Sequence, residues 1–206
     1  MEMGLRPEWE TFTDYERSLK HKYAQRARNV RKSAADLTMR EMDAEEVATR
    51  KDELHALYKQ VTERQPVRLG FLSPELLPML KQQHPEALRV WGIFEGRQLV
   101  AFASAWVREA VLDMFYIGFD YERNSKLQLY FNILFSAVEQ AILLKKECLI
   151  LGRTALEAKA RLGCKPRYLQ TFLYIRNPVL RGWVERMQRR VSAGEGEWES
   201  RHPFKS

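Results

Sequence analysis

Apolar residues recur at spacings of three and four along Tyr15, Leu19, Tyr23, Ala27 and Val30. That period lines one face of a helix. It predicts a helix over Thr13–Ser33, with Thr13 as N-cap and Glu16 completing a capping box. Basic residues fill the other faces. LTMREM, from Leu37 to Met42, alternates as a strand does. Asp43 then caps a second predicted helix, to about Glu63, with Val47, Leu54, Leu57, Tyr58 and Val61 on its inner side. SPELLPMLKQQ predicts a short helix in which Ser73 is the N-cap and Pro74 the first helical residue.

The pattern changes at Leu88. LRVWGIFEGRQLVAFASAWVREAVLDMFYIGF reads as three strands in succession, with a tight turn at Glu95-Gly96-Arg97 and a second reversal at Arg108-Glu109. Strands this close in sequence pair antiparallel, because a parallel pair needs a longer crossover. A helix over about Leu127–Leu144 turns Leu129, Ile133, Leu134, Val138 and Ile142 inward. ECLILG is a short, wholly apolar strand of the kind found in mid-sheet, and reaching it through a helix predicts a parallel crossover. TALEAKARLG predicts a helix with Thr154 as N-cap and Gly163 just past its end. RYLQTFLYI predicts a last strand, Pro178 opens a final helix to about Val191, and SAGEGEWESRHPFKS reads as a frayed tail. The fold class is therefore α/β with an α+β mixed sheet, antiparallel in its first half and covered by helices on both faces. Residues 1–36 form a basic helical extension, 37–191 the sheet domain and 192–206 a flexible tail.

At 206 residues and 45% hydrophobic content the chain suffices for one packed domain. No apolar run reaches the roughly 18 residues of a membrane span, and no secretory signal opens the chain, so a cytoplasmic location is expected. Cys148 and Cys164 are the only cysteines, too few for a disulfide framework. The net charge of +7 points to an anionic partner, and its placement matters more than its sum. Arg17, Lys20, Lys22, Arg26, Arg28, Arg31 and Lys32 follow one another with no acidic residue between them. A second basic zone runs from Arg153 to Arg190, opposed only by Glu157 and Glu185, whereas Asp36–Glu63 is acidic.

YIGFDYERNSKLQLYF, from Tyr116 to Phe131, joins a predicted strand to a predicted helix. Backbone N–H groups of a helix's first turn commonly hold an anion there. The stretch has one glycine, Gly118, followed by Asp120, Glu122, Arg123 and Lys126. Arg123 and Lys126 can meet a phosphate as side-chain charges. Asp120 follows the strand directly, where clefts open at strand C-termini, and Arg153 lies just past the end of the next strand. Tyr130 and Tyr121 can supply a proton to a leaving group. Strand alternation groups Asp113, Phe115 and Ile117 on one face and Met114, Tyr116 and Gly118 on the other. An unbroken apolar run follows Asp113, and burial would raise its pKa toward that of a useful base. The four histidines show no metal-ligand spacing, so no metal is expected. Ser104 and Cys164 lack the pattern of an activated nucleophile.

The antiparallel meander feeding a strand-helix-strand unit resembles the GNAT N-acyltransferase fold. VWGIFEGRQLVAFASAWV, DMFYIGFDYERNSKLQLYFNILFSAVEQAI and LILGRTALEAKARLGCKPRYLQTFLYIRN are similar to the C-terminal half of FemABX-like proteins. These tandem-GNAT proteins include BioF2-like acetyltransferase domains and aminoacyl-tRNA-dependent transferases. WETFTDYERSLKHKYAQRARNVRK resembles a basic helix of that group, and the resemblance spans roughly Trp9 to Asn177. It implies a GNAT-like domain over 37–191 that transfers an acyl or aminoacyl group to an amine. The implied donor is acetyl-CoA or another acyl-CoA. Asp113, Tyr116 and Glu109 would lie on or beside the strand next to the donor thioester, with Ile117 and Gly118 against the donor. Lys159 matches a lysine of the group that would contact a phosphate or carboxylate.

Two departures accompany the resemblance. GNAT acyl-CoA enzymes carry Gln/Arg-x-x-Gly-x-Gly/Ala at this junction, but here Lys126 and Gln128 stand in the glycine positions after Arg123. The chain also has room for one GNAT unit where the group has two, so a second unit or a homo-oligomer is a candidate partner. The alternative functions are a tRNA-associated protein using the Arg17–Lys32 helix, or a non-catalytic relative that binds a partner.

Overall fold

Among the described residues (1–65, 70–168, 174–191 and 201–205) the computed structural model places six strands in one sheet. The elements are β1 (Glu2–Gly4), α1 (Phe12–Ser18), α2 (His21–Ser33), β2 (Leu37–Glu41), α3 (Ala44–Thr49), α4 (Lys51–Thr62) and α5 (Leu76–Gln83). There follow β3 (Leu88–Glu95), β4 (Gln98–Val107), β5 (Val111–Phe119), α6 (Tyr121–Leu127), α7 (Leu129–Leu143), β6 (Cys148–Ile150), α8 (Leu156–Ala160) and α9 (Pro178–Val191). Across the sheet the order is β1-β6-β5-β4-β3-β2. β2 to β5 form the expected antiparallel run, and β6 pairs in parallel with β5, Val111 beside Cys148 and Asp113 beside Ile150. Gly96, at φ +60, makes with Arg97 the two-residue turn of the β3–β4 hairpin. β1 has no precursor in the hydrophobic pattern, since three residues carry no period. It pairs antiparallel with β6, so residues 1–36 supply a sheet edge as well as helices.

Several expected helices are divided. The helix expected over Thr13–Ser33 is α1 and α2, and its capping box is Thr11 with Asp14, not Thr13 with Glu16. Asp14 Oδ2 accepts from the Thr11 N–H and hydroxyl, both at 2.8 Å. The helix opens at Leu19–Lys20 because the end of the chain bonds there: Leu19 bridges Phe204, and the Lys20 N–H donates to Pro203 O at 2.8 Å. The apolar stripe nevertheless faces inward, with Tyr15, Leu19, Ala27 and Val30 buried. The helix begun by Asp43 is interrupted at Arg50, although Asp43 Oδ1 caps it as expected, accepting from Glu46 N–H at 2.8 Å. Pro74 lies in the turn before α5, and left-handed Ala155, not Thr154, precedes α8. The strand expected over Arg167–Ile175 falls mostly at 169–173, outside the described residues, as do 192–200 of the tail. Residues 201–205 are placed, and Phe204 packs on Trp9 and Tyr15 with ring centroids 5.6 and 6.2 Å apart.

Helices cover both faces. α1, α2, α7 and α8 bury Tyr15, Ala27, Val30, Leu134, Val138 and Leu162 against one face, and α3, α4 and α5 bury Val47, Leu54 and Leu57 against the other. Lys81 is buried on that second side with every proton used. It donates to Pro85 O at 2.8 Å and Leu88 O at 2.9 Å, and pairs with Glu41 at 3.3 Å. A buried charge so paired is structural.

Gly118 marks where α4 presses closest on the sheet. A Cβ there would lie 2.5 Å from Tyr58 N and 2.6 Å from the Leu57 carbonyl carbon, both backbone atoms of α4. Its glycine serves helix–strand packing. Backbone cannot yield as a side-chain tip does, so Gly118→Ala is expected to lower stability by about 3 kcal/mol in urea titration. A loss under about 0.5 kcal/mol would mean that α4 is not seated this closely.

Candidate active site

β4 and β5 slip in register at one place. Ala103 faces Ile117 while Ala105 faces Met114, so Phe115 and Tyr116 together stand opposite Ser104. This is a β-bulge. The Ser104 hydroxyl closes it, donating to Tyr116 O at 2.8 Å and accepting from Tyr116 N–H at 3.0 Å. The extra residue corrects the expected alternation. Tyr116 shares a face with Phe115, whose ring centroid is 4.2 Å away, and with Gly118, while Met114 and Ile117 turn toward α7. On its other side β5 pairs with β6 only as far as Asp113, and Met114–Phe119 run on with no strand beside them among the described residues. Two parallel strands thus part at their C-terminal ends, where open sheets bind ligands.

The candidate residues have differing fates around this opening. Arg123 is wholly engaged. Its guanidinium pairs with Glu95, donates to Gln98 Oε1 at 2.8 Å and meets Asp120 Oδ2 at 3.2 Å, pinning α6 to the β3–β4 turn. Asp120 is the N-cap of α6, its Oδ1 accepting from Glu122 N–H at 3.0 Å and Arg123 N–H at 3.2 Å. Lys126 is exposed in the last turn of α6, because the junction holds an extra short helix that the sequence pattern did not show. Arg153 is exposed just beyond β6. Asp113 lies where the β5–β6 pairing ends and meets Arg108 at 3.5 Å. Ile117 packs with Leu129 and Ile133. Tyr116 stacks edge-on to Tyr58 at 5.5 Å, and burial, then Tyr58, raises its pKa. Tyr130, in the first turn of α7, belongs to the opposite face, so the structure does not bring these two tyrosines together.

A cluster of buried ionisable groups lies behind the opening. Lys159 on α8 is 4% exposed, and a Cβ built on Gly152, just past β6, would sit 3.9 Å from its Nζ. Unlike Lys81, it has no hydrogen bond or ion pair among the described residues. Burial lowers its pKa from 10.5 to about 8. Burial likewise pushes the Cys164 thiol and the Tyr130 hydroxyl up to about 12 each, so both are neutral at physiological pH.

Beside the start of α7 lies a cleft of about 670 Å³, lined by Lys22, Arg26 and Asn29 of α2 with Gln128, Arg161 and Arg201. Arg26 stacks over Phe131 at 4.4 Å, and burial, then Arg161, lowers its pKa. Glu157 offsets part of this charge, meeting both Arg161 and Arg201 at 3.1 Å. Gln128, the N-cap of α7, is left-handed at φ 47, ψ 42. Of the first N–H groups of α7, that of Tyr130 donates to Asn124 Oδ1 at 2.9 Å, and those of Leu129 and Phe131 have no acceptor among the described residues. No sequence pattern marks the cleft residues for this place. By sequence, Lys22, Arg26 and Arg161 belong to the two basic zones, and Gln128 stands at a position where the GNAT pattern has glycine. The pattern of charge was visible, but the meeting of α2 with α7 and α8 was not. No group of metal-ligating side chains occurs among the described residues.

No protein-family model and no curated protein matches the sequence. Solved structures do match. The tetramutant of the BH1408 protein from Bacillus halodurans superposes at a TM-score of 0.51 with 14% identity, over 67% of this chain and 99% of that one. Glucosamine-6-phosphate N-acetyltransferase from Arabidopsis thaliana gives 0.50 with 12% identity, over 68% of this chain and 98% of that one. The chain has the fold of GNAT-superfamily acetyltransferases.

Lys159, which has no partner among the described residues, gives a test of the buried cluster. Its folded pKa is depressed, so between about pH 8 and 10.5 the folded chain holds a proton fewer than the unfolded one. Stability then rises with pH across that window and carries a constant penalty below it. Lys159→Met is expected to stabilise the protein at neutral pH by on the order of 3 kcal/mol and to flatten that rise, measured by urea midpoints across the window. Destabilisation at neutral pH would show that the lysine has a partner in solution.

Proposed function

We propose that the protein is an N-acyltransferase that takes its acyl group from a phosphate-bearing donor, with an acyl-CoA thioester the first candidate, and passes it to an amine. The observation that carries this is the parting of β5 and β6 beyond Asp113 and Ile150 in a chain whose cationic cleft adjoins the start of α7. Phosphates fit that cleft through side chains, with Lys22, Arg26 and Arg161 supplying the charge. The backbone approach typical of glycine-rich junctions is narrower here, because Asn124 already occupies one N–H.

In such a transfer the amine nitrogen attacks the donor carbonyl carbon, the bond from that carbon to sulfur breaks, and the amine's proton passes to a base. Asp113 lines the β5 side as the candidate to take that proton, and Tyr116, whose raised pKa keeps its hydroxyl protonated, can only donate a hydrogen bond there. Lys159, with its proton held loosely at about 8, is suited to return one to the departing thiolate, and Tyr130 holds its proton too tightly to compete. Asp120 and Arg123 are left out of the chemistry because their bonds are spent on α6.

Calorimetric titration of acetyl-CoA, free CoA and longer acyl-CoA forms tests the donor. Binding is expected, and Arg26→Ala and Arg161→Ala should each weaken it about tenfold, as the loss of a charge-assisted phosphate contact does. No heat and no thermal shift with any of these ligands would end the acyl-CoA assignment.

The exposed basic residues of α2 favour one second reading, in which the donor is an aminoacyl-tRNA of the kind used by FemABX-like proteins. Binding to tRNA would then weaken steeply between low and moderate salt. A flat salt dependence would exclude it.

A further inference from the structure

Helix α9 is amphipathic, and its apolar side is bare. Asn177 caps it, its Oδ1 accepting from Leu180 N–H at 3.2 Å, and Pro178 opens the first turn, so the helix has a defined start of its own. Leu180, Trp183, Val184 and Met187 recur at i, i+3, i+4 and i+7, a single stripe on a 14-residue helix. A stripe of this kind ordinarily faces a core. Here Leu180 is 50% exposed, Trp183 60% and Met187 46%, while Val184 is half-buried. Arg181 and Arg186 are exposed on the flanks of the stripe, and the sequence of the helix adds Arg189 and Arg190 against the single acid Glu185.

We propose that α9 is an interfacial anchor that lays this stripe into the surface of an anionic lipid bilayer. Charge decides among the possible occupants. Two copies of α9 packed stripe to stripe would set arginines beside arginines, which opposes self-association. A neutral apolar partner would cover the stripe but leave the arginines unmatched. An anionic membrane meets both, since acyl chains take Leu180, Trp183 and Met187 while lipid phosphates and carboxylates take the arginines. Trp183 stands at one edge of the stripe, where its ring suits the boundary between headgroups and chains. No helix among the described residues is long and apolar enough to cross a membrane, so the contact would be in the plane of the surface. This proposal is independent of the transferase reading.

The test is flotation of the full chain with phosphatidylcholine vesicles, with and without phosphatidylserine. Binding is expected only with phosphatidylserine and should weaken as salt rises. The deciding variant is Leu180→Ser with Trp183→Ser, which leaves net charge and, the residues being exposed, the fold unchanged. Its urea midpoint should match the parent while vesicle binding falls about tenfold or more. Arg181→Gln with Arg186→Gln should weaken binding by a similar factor. Equal binding to both vesicle types, or to neither, overturns the proposal. So does a Leu180/Trp183 variant that binds as the parent does, which would assign binding to basic surface elsewhere. A concentration-dependent dimer abolished by the same variant, without vesicle binding, would make a second copy the occupant and also overturn it.

Discussion

β5 cannot keep both of its neighbours along its whole length, and the candidate site follows from which one it gives up. It stays paired with β4 to its last residue, Phe119 opposite Ala101, and leaves β6 after Asp113. The bulge at Phe115–Tyr116 falls where β6 departs. An extra residue on one strand bends it and increases its twist, and one side chain, Ser104, supplies the bonds that hold this distortion. On the face it shares with Tyr116, the α4 backbone lies so close on Gly118 that this end of β5 is clamped against the helix. The opening is therefore fixed by a hydroxyl, a missing Cβ and a helix, none of which belongs to the site itself.

Satisfaction of charge separates framework from candidate chemistry better than burial does. Lys81 and Lys159 are almost equally buried, at 3% and 4% exposure, yet Lys81 has three acceptors and Lys159 none among the described residues. Arg123 and Arg26 differ likewise. Arg123 is held by Glu95, Gln98 and Asp120, whereas Arg26 faces Phe131 and another arginine, and its Nε has no hydrogen-bond partner among the described residues. An unpaired buried cation costs free energy. Lys159 on α8 and the half-buried Arg26 on α2 lie along the same helical layer, which α7 completes.

The meander β3–β4–β5, the crossover to β6 and the inward stripes of α2, α4 and α7 could be read from the sequence because burial imposes a period that many residues share. What could not be read has no period. The bulge is one inserted residue, and it reversed the expected grouping of Tyr116 with Met114. α6 is a single short element started by Asp120, whose carboxylate looked equally suited to catalysis because a cap and a base are the same residue type. β1 is three residues long. The cleft is the meeting of α2 with α7 and the chain beyond β6, some hundred positions away, and no local pattern announces such a contact.

The missing glycines at the junction have a structural answer in two parts. Gln128 keeps the left-handed conformation that glycine adopts without strain, and a residue with a Cβ gives up about 1 kcal/mol to hold it. The turn into α7 is thus preserved without the residue that normally makes it. The close approach that glycine also permits is not preserved: α6 fills the space before the turn, and Asn124 takes the Tyr130 N–H. Strain of this kind in a non-glycine residue survives only where its surroundings fix it. Here Asn132 does so, its amide donating to Val30 O at 3.1 Å, Leu127 O at 2.9 Å and Gln128 O at 3.3 Å. The bond to Val30 O also ties α2 to the start of α7, and so the side chain that steadies the altered turn helps bring Lys22 and Arg26 to its edge.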